Sequence, residues 1–355
     1  MEQALRSVLS HFAMEGQVVS CEPHGEGHIN QTYLVRTDCG KRYILQQMNH
    51  HIFKNIDGLM DNIQAVTAFL AQRAEDPRTV MGLIQTVDDK AYLRQEDGTC
   101  WRMILFVEDA ICLQRPESTK DFYECAVAFG NFAHLLNDFP ADTLFEVIPN
   151  FHNTADRYRI FREALDADRV NRAKDVQKEI AFILDREGEA STLVDLLAAG
   201  KLPLRVTHND TKINNVMLDA KTRTALCVVD LDTVMPGLSL YDYGDAVRCG
   251  ASTGAEDEKD LSKVSLDLDM FESFTKGYLA ACPDLTDLER ELMPLGIKIL
   301  ALELGVRFLT DYLDGDRYFA THREGHNLDR CRTQLKLVQD MEEKWEQMQG
   351  IISQI

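Results

Sequence analysis

Apolar and polar residues alternate over 17–21, 32–37 and 42–48, where Val, Ile, Leu and Tyr lie between Gly25, Gly27 and the turn Asp38-Cys39-Gly40. Three short antiparallel strands are predicted there. Ahead of them Leu5, Val8, Leu9 and Phe12 fall at helical spacing. Behind them Leu59, Ile63, Val66, Phe69 and Leu70 mark a helix over 59–72, followed by strand-like text over 80–87, 91–94 and 101–107. After Glu108 the period changes. Helical spacing dominates 118–136, 153–165, 176–197, 266–279, 288–312 and 328–348, and strand-like text survives only over 203–207, 216–218 and 226–231. The expected fold class is α+β, with a small antiparallel-sheet lobe over 1–108 and a larger, mainly helical lobe over 109–355 that carries an embedded hairpin. A ligand held between two such lobes would lie in a cleft.

Composition narrows the partners. The chain has 355 residues, 38 Lys plus Arg against 58 Asp plus Glu, and a formal charge of −20. Such a charge works against wrapping nucleic acid or sitting on an anionic membrane, so a polyphosphate ligand would need locally placed cations or metal ions. Apolar residues make up 45% and charged residues 27%, as in ordinary folded proteins. No apolar run nears 18 residues, and the first residues lack the basic-then-apolar layout of a signal peptide. The nine cysteines contain no CxxC pair, so neither a disulfide framework nor a zinc ribbon is indicated. A reducing, cytoplasmic setting is expected.

The candidate chemistry lies in 204–232. A short apolar strand leads into Thr207-His208-Asn209-Asp210-Thr211-Lys212-Ile213-Asn214-Asn215, and a second apolar run ends in Asp230-Leu231-Asp232. A hairpin between them brings Asp230 back beside the loop. Two carboxylates and an amide oxygen converging in this way suit Mg2+, which fills the rest of its shell with water and phosphate oxygens. Asp210 is left to orient an attacking hydroxyl and accept its proton. These are the parts phosphoryl transfer needs, because its barrier is lowered mainly by positioning and charge stabilisation.

Here the sequence resembles the protein-kinase-like phosphotransferases: His208-x-Asp210-x-Lys212-x-x-Asn215 follows the catalytic-loop pattern H-x-D-x-K-x-x-N, with Asp230 where that superfamily places its second metal-binding Asp. The resemblance implies a two-lobe kinase fold, ATP and Mg2+, Asp210 as catalytic base, Asn215 and Asp230 as metal ligands, Lys212 near the transferred phosphate and His208 as a structural brace. Gly25 and Gly27 stand where a glycine-rich loop would cover phosphates, although a plain hairpin turn explains two glycines equally well. Phe106 and Val107, at the end of the strand that joins the lobes, would meet a purine ring through their backbone. The third strand departs from the pattern, offering Gln46 and Gln47 where kinases place a lysine.

No activation segment follows Asp230, which points to small-molecule kinases of the aminoglycoside phosphotransferase and choline kinase type. Within that group the chain resembles the N-acetylhexosamine 1-kinases over nearly its full length. The similarity is carried by Gly27-His28-Ile29-Asn30-Gln31-Thr32-Tyr33, the 207–248 segment, and Arg307-Phe-Leu-Thr-Asp311-Tyr-Leu-x-Gly315-Asp316-x-Tyr318-Phe. It implies phosphorylation of the anomeric hydroxyl of N-acetylglucosamine or N-acetylgalactosamine, with His28, Thr233, Arg307 and Tyr318 around the sugar and Asp210 on its C1 hydroxyl. Spacing alone equally allows Arg307 to pair with Asp311 one turn away, and a lone His or Tyr is more often packing than ligand. The alternatives are an aminoglycoside, choline or homoserine kinase of the same fold, or an idle nucleotide-binding protein that lacks the third-strand lysine. Gly250-Ala-Ser252-Thr-Gly254 mimics a nucleophile elbow, but the residues before Ser252 read as helix, and His322-x-x-x-His326 lacks a correctly placed Glu for zinc catalysis.

Overall fold

A computed structural model describes residues 3–25, 30–50 and 52–355. Its eleven strands are β1 (Val18–Pro23), β2 (Gln31–Thr37), β3 (Arg42–Met48), β4 (Leu83–Ile84), β5 (Leu93–Arg94), β6 (Cys100–Leu105), β7 (Ala110–Cys112), β8 (Arg205–Thr207), β9 (Val216–Asp219), β10 (Ala225–Val228) and β11 (Met235–Gly237). The helices are α1 (Gln3–Leu9), α2 (Ile56–Ala71), α3 (Thr119–Leu135), α4 (Thr154–Ala167), α5 (Gln177–Leu184), α6 (Thr192–Ala198), α7 (Ser239–Gly250), α8 (Leu268–Ala281), α9 (Asp287–Glu291), α10 (Met293–Asp314), α11 (His326–Glu343) and α12 (Trp345–Gln354).

Strands β1, β2, β3, β6 and β4 form one antiparallel sheet in that spatial order, with β5 also paired to β6. Gly40 turns β2 into β3 at φ +85°, a backbone conformation that suits glycine. Alternation along the strands then splits the side chains. Tyr43, Leu45, Trp101 and Met103 pack with Val8, Leu9 and Phe12 in a small core, whereas Met48 and Cys100 join a larger core around α2. That larger core runs without a break from Leu59 and Ile63 of α2 through α3, α8, α10 and α11. Asn62, only 3% exposed, ties α2 to it: its amide donates to the Phe145 and Val234 carbonyls at 2.7 and 2.8 Å, and its oxygen accepts the Phe145 N–H at 2.8 Å.

Below the sheet, β9 and β10 form the expected hairpin, with β7 as a third strand, and β8 pairs with β11. The helical text over 176–197 is split by a 3-10 turn over Glu187–Glu189, where Gly188 weakens the helix. The text over 288–312 divides at Leu292 because Pro294, which a helix tolerates only in its first turn, opens α10. Over 80–87 just two residues pair as strand. No helix among the described residues is long and apolar enough to cross a membrane.

One buried ion pair fixes the strand that leads to the chemistry. Arg205, at the start of β8, donates to Glu289 at 2.7 and 2.8 Å. Glu289 also accepts the hydroxyl of Ser239, where α7 begins, at 2.6 Å, and the Thr286 N–H at 2.8 Å in a capping box. Burial pushes the Glu289 carboxyl up, but these hydrogen bonds and the Arg205 charge hold it below the usual carboxylate range. A depressed pKa contributes stability that is whole above the ordinary carboxylate pKa of about 4.3 and is lost as pH falls through the lower folded value. Glu289→Ala strands a buried guanidinium and should cost about 3–5 kcal/mol. Urea melts at pH 7 check this; a cost under about 1 kcal/mol, the range of exposed pairs, would show that the pair is not structural.

Candidate active site

Strand β8 delivers Thr207 and the loop after it onto α7, whose acids take up the loop's amides. Asp242 accepts the N–H groups of His208 and Asn209 at 2.8 and 2.7 Å. Asp245 accepts the Thr211 N–H at 3.1 Å and is paired with Arg248. The Thr211 hydroxyl donates to the Asp242 carbonyl at 2.6 Å. Asn209 adopts φ +64°, a conformation Asn tolerates better than most residues. Its amide secures the turn by donating to the Thr207 and Thr233 carbonyls. Sequence reasoning did not single out Asp242 and Asp245. The signal for them is two acids at i,i+3 on a helix buried from Ser239 to Arg248.

The loop and the hairpin meet at His208. Its ring is fully buried against Phe129 and Phe132; Nδ1 accepts the Asp210 N–H at 3.3 Å and Nε2 lies 2.9 Å from the Val229 carbonyl oxygen. Nε2 is therefore the donor, and the imidazole joins the residue before Asp230 to Asp210. From the other side the Val229 N–H donates to the Asn215 carbonyl at 2.9 Å. Asn215 Nδ2 donates to the backbone carbonyl of Asp210 at 2.8 Å and reaches its carboxylate at 3.4 Å. Lys212 Nζ lies 2.8 Å from Asp210 Oδ1. Enclosure in the cleft pulls the Lys212 ammonium down, but the Asp210 charge and hydrogen bond outweigh this and keep it cationic. Positions 208, 210, 212, 215 and 230 are thus brought together.

Asp230 sits at φ +61°, ψ +56°, a left-handed conformation costing a non-glycine residue on the order of 1 kcal/mol or more. Its carboxylate accepts no hydrogen bond and forms no ion pair among the described residues. Enclosure by the surrounding protein raises it to about 6, with Asp232 and Asp210 adding to the shift and Arg102 opposing it. The side chain itself is open to the cleft. An anionic oxygen without a cation, together with an Asn215 Oδ1 that is likewise unpartnered among the described residues, suits a hard divalent ion. No group of three His, Cys, Asp or Glu side chains among the described residues is placed to hold a metal unaided. An ion here would therefore complete its shell with ligand or water oxygens.

On the sheet side, Gly25 has φ +77° and nothing within 4 Å of where a Cβ would stand. Gly27 and His28 lie outside the described residues. Phe106 is faced by the Arg42 guanidinium, 4.0 Å from its ring centroid, and by the edge of His24 at 6.2 Å. Its N–H donates to the Arg42 carbonyl at 3.2 Å. The Phe106 C=O and the N–H groups of Val107 and Glu108 make no hydrogen bond among the described residues, leaving an open donor–acceptor edge between the lobes. Gln46 does not stand alone on β3. It lies directly opposite Arg102 of β6, whose guanidinium crosses to Asp232.

At the far end of the cleft, His152 Nδ1 lies 3.0 Å from Glu303 Oε1 and Nε2 lies 3.4 Å from the Asn209 carbonyl oxygen, and the Thr154 hydroxyl donates to Glu303 Oε2 at 2.7 Å. Arg307, one helical turn along α10, lies 5.2 Å from the Phe151 ring and 5.5 Å from that of Phe319. It does not pair with Asp311. That carboxylate instead accepts the N–H groups of Arg317, Tyr318 and Phe319 at 2.8–2.9 Å, which orders the loop bearing Tyr318. Tyr318 is 70% exposed. Arg307 and Tyr318 are therefore brought together around Phe319. Thr233 lies apart from them, its hydroxyl donating to the His208 carbonyl at 2.6 Å, so that its proton is committed to the loop while no donor among the described residues takes up its lone pairs. Arg157 was not anticipated: it donates to the Phe151 carbonyl, and burial followed by the Arg307 charge lowers it from its usual range. Ser252 follows the end of α7 and donates to the Gly254 carbonyl at 3.1 Å, without the strand a nucleophile elbow requires.

An antiparallel-sheet lobe over a helical lobe, with this loop and hairpin in the cleft, defines a protein-kinase-like α+β fold. Residues 20–263 match the APH phosphotransferase enzyme family, and the chain belongs to it. Solved structures share the fold at low identity. An aminoglycoside phosphotransferase from Alicyclobacillus acidocaldarius is 12% identical, with 99% of this chain and 96% of that chain covered and a TM-score of 0.64. A microcompartment-associated aminopropanol kinase is 15% identical, with 98% of each chain covered and a TM-score of 0.59. The choline kinase LicA from Streptococcus pneumoniae is 13% identical, with 92% of this chain and 94% of that chain covered and a TM-score of 0.53.

Proposed function

We propose that this family member is an ATP- and Mg2+-dependent kinase that phosphorylates the anomeric hydroxyl of N-acetylhexosamines. In this reading residues 1–108 hold the nucleotide and 109–355 supply the catalytic groups and the acceptor site. The observation that carries it is Asp210, fixed through its amide by His208 and through its carboxylate by Lys212 beside the unpartnered Asp230 oxygen. Nucleotide use is supported by the open backbone edge at 106–108 and by a fold neighbour, a spectinomycin phosphotransferase, captured with ADP.

The chain's own groups divide the work. Asp210 accepts the C1 proton as the new oxygen–phosphorus bond forms and the bond to the leaving ADP breaks, and an anomeric hydroxyl is acidic enough for a carboxylate to serve. Lys212 lies beside Asp210 and can follow the negative charge of the transferred group. Asn215 and Asp230 would hold Mg2+, which supplies charge neutralisation across the phosphates. His208, Asp242 and Asp245 hold the loop so that Asp210 need not reorganise during the reaction.

The acceptor end carries positive charge. Neither Arg157 nor Arg307 forms an ion pair among the described residues, and each raises the electrostatic cost of a cation nearby. A neutral sugar with an acetamido carbonyl suits such a wall better than an aminoglycoside or choline. ADP release with N-acetylglucosamine, N-acetylgalactosamine, kanamycin and choline tests this, along with the 1-O-methyl glycoside of each sugar. Turnover is expected with the two free sugars alone; turnover of a methyl glycoside, or of the cations in preference to the sugars, would overturn it. Arg307→Met should raise the sugar KM roughly 10–100-fold, the worth of one charged hydrogen bond, with the ATP KM unchanged. A sugar KM within twofold of wild type would remove Arg307 from the acceptor site.

A further inference from the structure

The nearly buried Asp232, two residues beyond Asp230, is held by two side chains of the sheet lobe. Arg102 of β6, 1% exposed, places Nη1 on Asp232 Oδ1, and Asn30 Nδ2 donates to Oδ2 at 2.7 Å. Both are fixed from behind. Arg102 Nε donates to Gln46 Oε1 at 2.8 Å, and Gln46 Nε2 donates to the Thr32 hydroxyl at 3.1 Å. Asn30 Oδ1 accepts the Asn49 N–H at 3.0 Å. Gln46 and Arg102 are a cross-strand pair in the β3–β6 register, so both side chains leave the same face of the sheet about 5 Å apart. A cation is therefore present on one face of β3, supplied from the neighbouring strand and oriented by Gln46, one of the two glutamines that stand where kinases place a lysine.

The charges explain why the link is specific. A carboxylate this buried needs a partner, and Asp230, left-handed and unpartnered among the described residues, lies two residues before it. With Asp232 anchored to the sheet, the strained turn at Asp230 is held from both sides, by Arg102 and Asn30 above and by His208 on Val229 below. We propose that Arg102 is a positioning residue that, through Asp232, couples the sheet lobe to the Asp230 turn and sets the geometry in which a nucleotide–metal pair is held. The inference rests on the kinase reading but extends it to a residue that touches no reacting atom.

The test relocates the charge. Arg102→Met, Arg102→Met with Asp232→Asn, and Arg102→Met with Gln46→Lys are compared with wild type for melting temperature, for binding of a fluorescent ATP analogue as Mg2+ is titrated, and for kcat against KM. Arg102→Met should lower kcat on the order of 10²-fold, as expected for a displacement near 1 Å, and should raise the Mg2+ needed for half-maximal nucleotide binding about tenfold, the equivalent of some 1.4 kcal/mol. The Arg102→Met, Asp232→Asn pair leaves no buried charge unbalanced, so it should fold like wild type yet remain slow. Lysine at 46 should restore most of the loss by supplying the cation from the opposite strand. Wild-type kcat and Mg2+ dependence in the charge-balanced pair, or no recovery with Gln46→Lys in a folded protein, would overturn the inference. Wild-type protein that binds no Mg2+–nucleotide would instead overturn the kinase reading, and this inference with it.

Discussion

Asp210→Asn is expected to lower kcat by about 10²–10⁴, the range assigned to a positioned general base, while the nucleotide affinity stays within a fewfold of wild type. The substitution isolates proton acceptance because so much of the loop is held by other atoms. The backbone of 208–211 hangs on Asp242 and Asp245, and the Asp210 amide rests on His208 Nδ1. An asparagine keeps the shape and loses the charge that Lys212 meets at 2.8 Å. Single-turnover measurements with saturating ATP and sugar read the chemical step directly. Turnover within tenfold of wild type would mean that another group takes the proton.

The second large effect is expected at Asp230. Asparagine is among the few residues that accept a left-handed backbone, so Asp230→Asn should keep the turn at φ +61° and remove only the anionic oxygen. Metal assistance is worth several kcal/mol in reactions of this class, so kcat/KM for ATP should fall on the order of 10²–10³-fold. Folding should not suffer. The wild-type carboxyl is already raised to about 6 by its enclosure and its acidic neighbours, which marks its charged form as unfavourable without a cation. Neutralising it should leave the metal-free melting temperature at neutral pH unchanged or higher. A variant with wild-type Mg2+ dependence, or one that melts well below wild type, would remove Asp230 from the metal site.

Much of this was legible in the sequence because it is encoded locally. Strand β3 occupies 42–48 as the alternation predicts, since its pattern and the Asp38-Cys39-Gly40 turn agree. The hairpin that returns Asp230 to Asp210 follows from two apolar runs and the polar turn between them. What escaped depends on contacts far apart in the chain. Arg102 and Asp232 are separated by 130 residues, and neither has a neighbour in sequence that announces the other. The even-handed spacing of Arg307 and Asp311 was resolved only by the loop over 317–319, whose three amides claim the aspartate. Helices also ran on in the pattern where Pro294 and Gly188 divide them, because apolar periodicity passes through a break without changing.

The amide of Asn62 has a consequence for control. Swinging α2 away from the helical body would leave the Phe145 and Val234 carbonyls and the Phe145 N–H without partners, at about 1–3 kcal/mol for each buried group. Gly58 adds to the restraint, since a Cβ there would stand 2.6 Å from the Phe145 ring, so helix and ring interlock at van der Waals range. An enzyme built this way has no cheap dormant posture for its small lobe. Its two lobes are then held in one relative arrangement whether or not a ligand is bound.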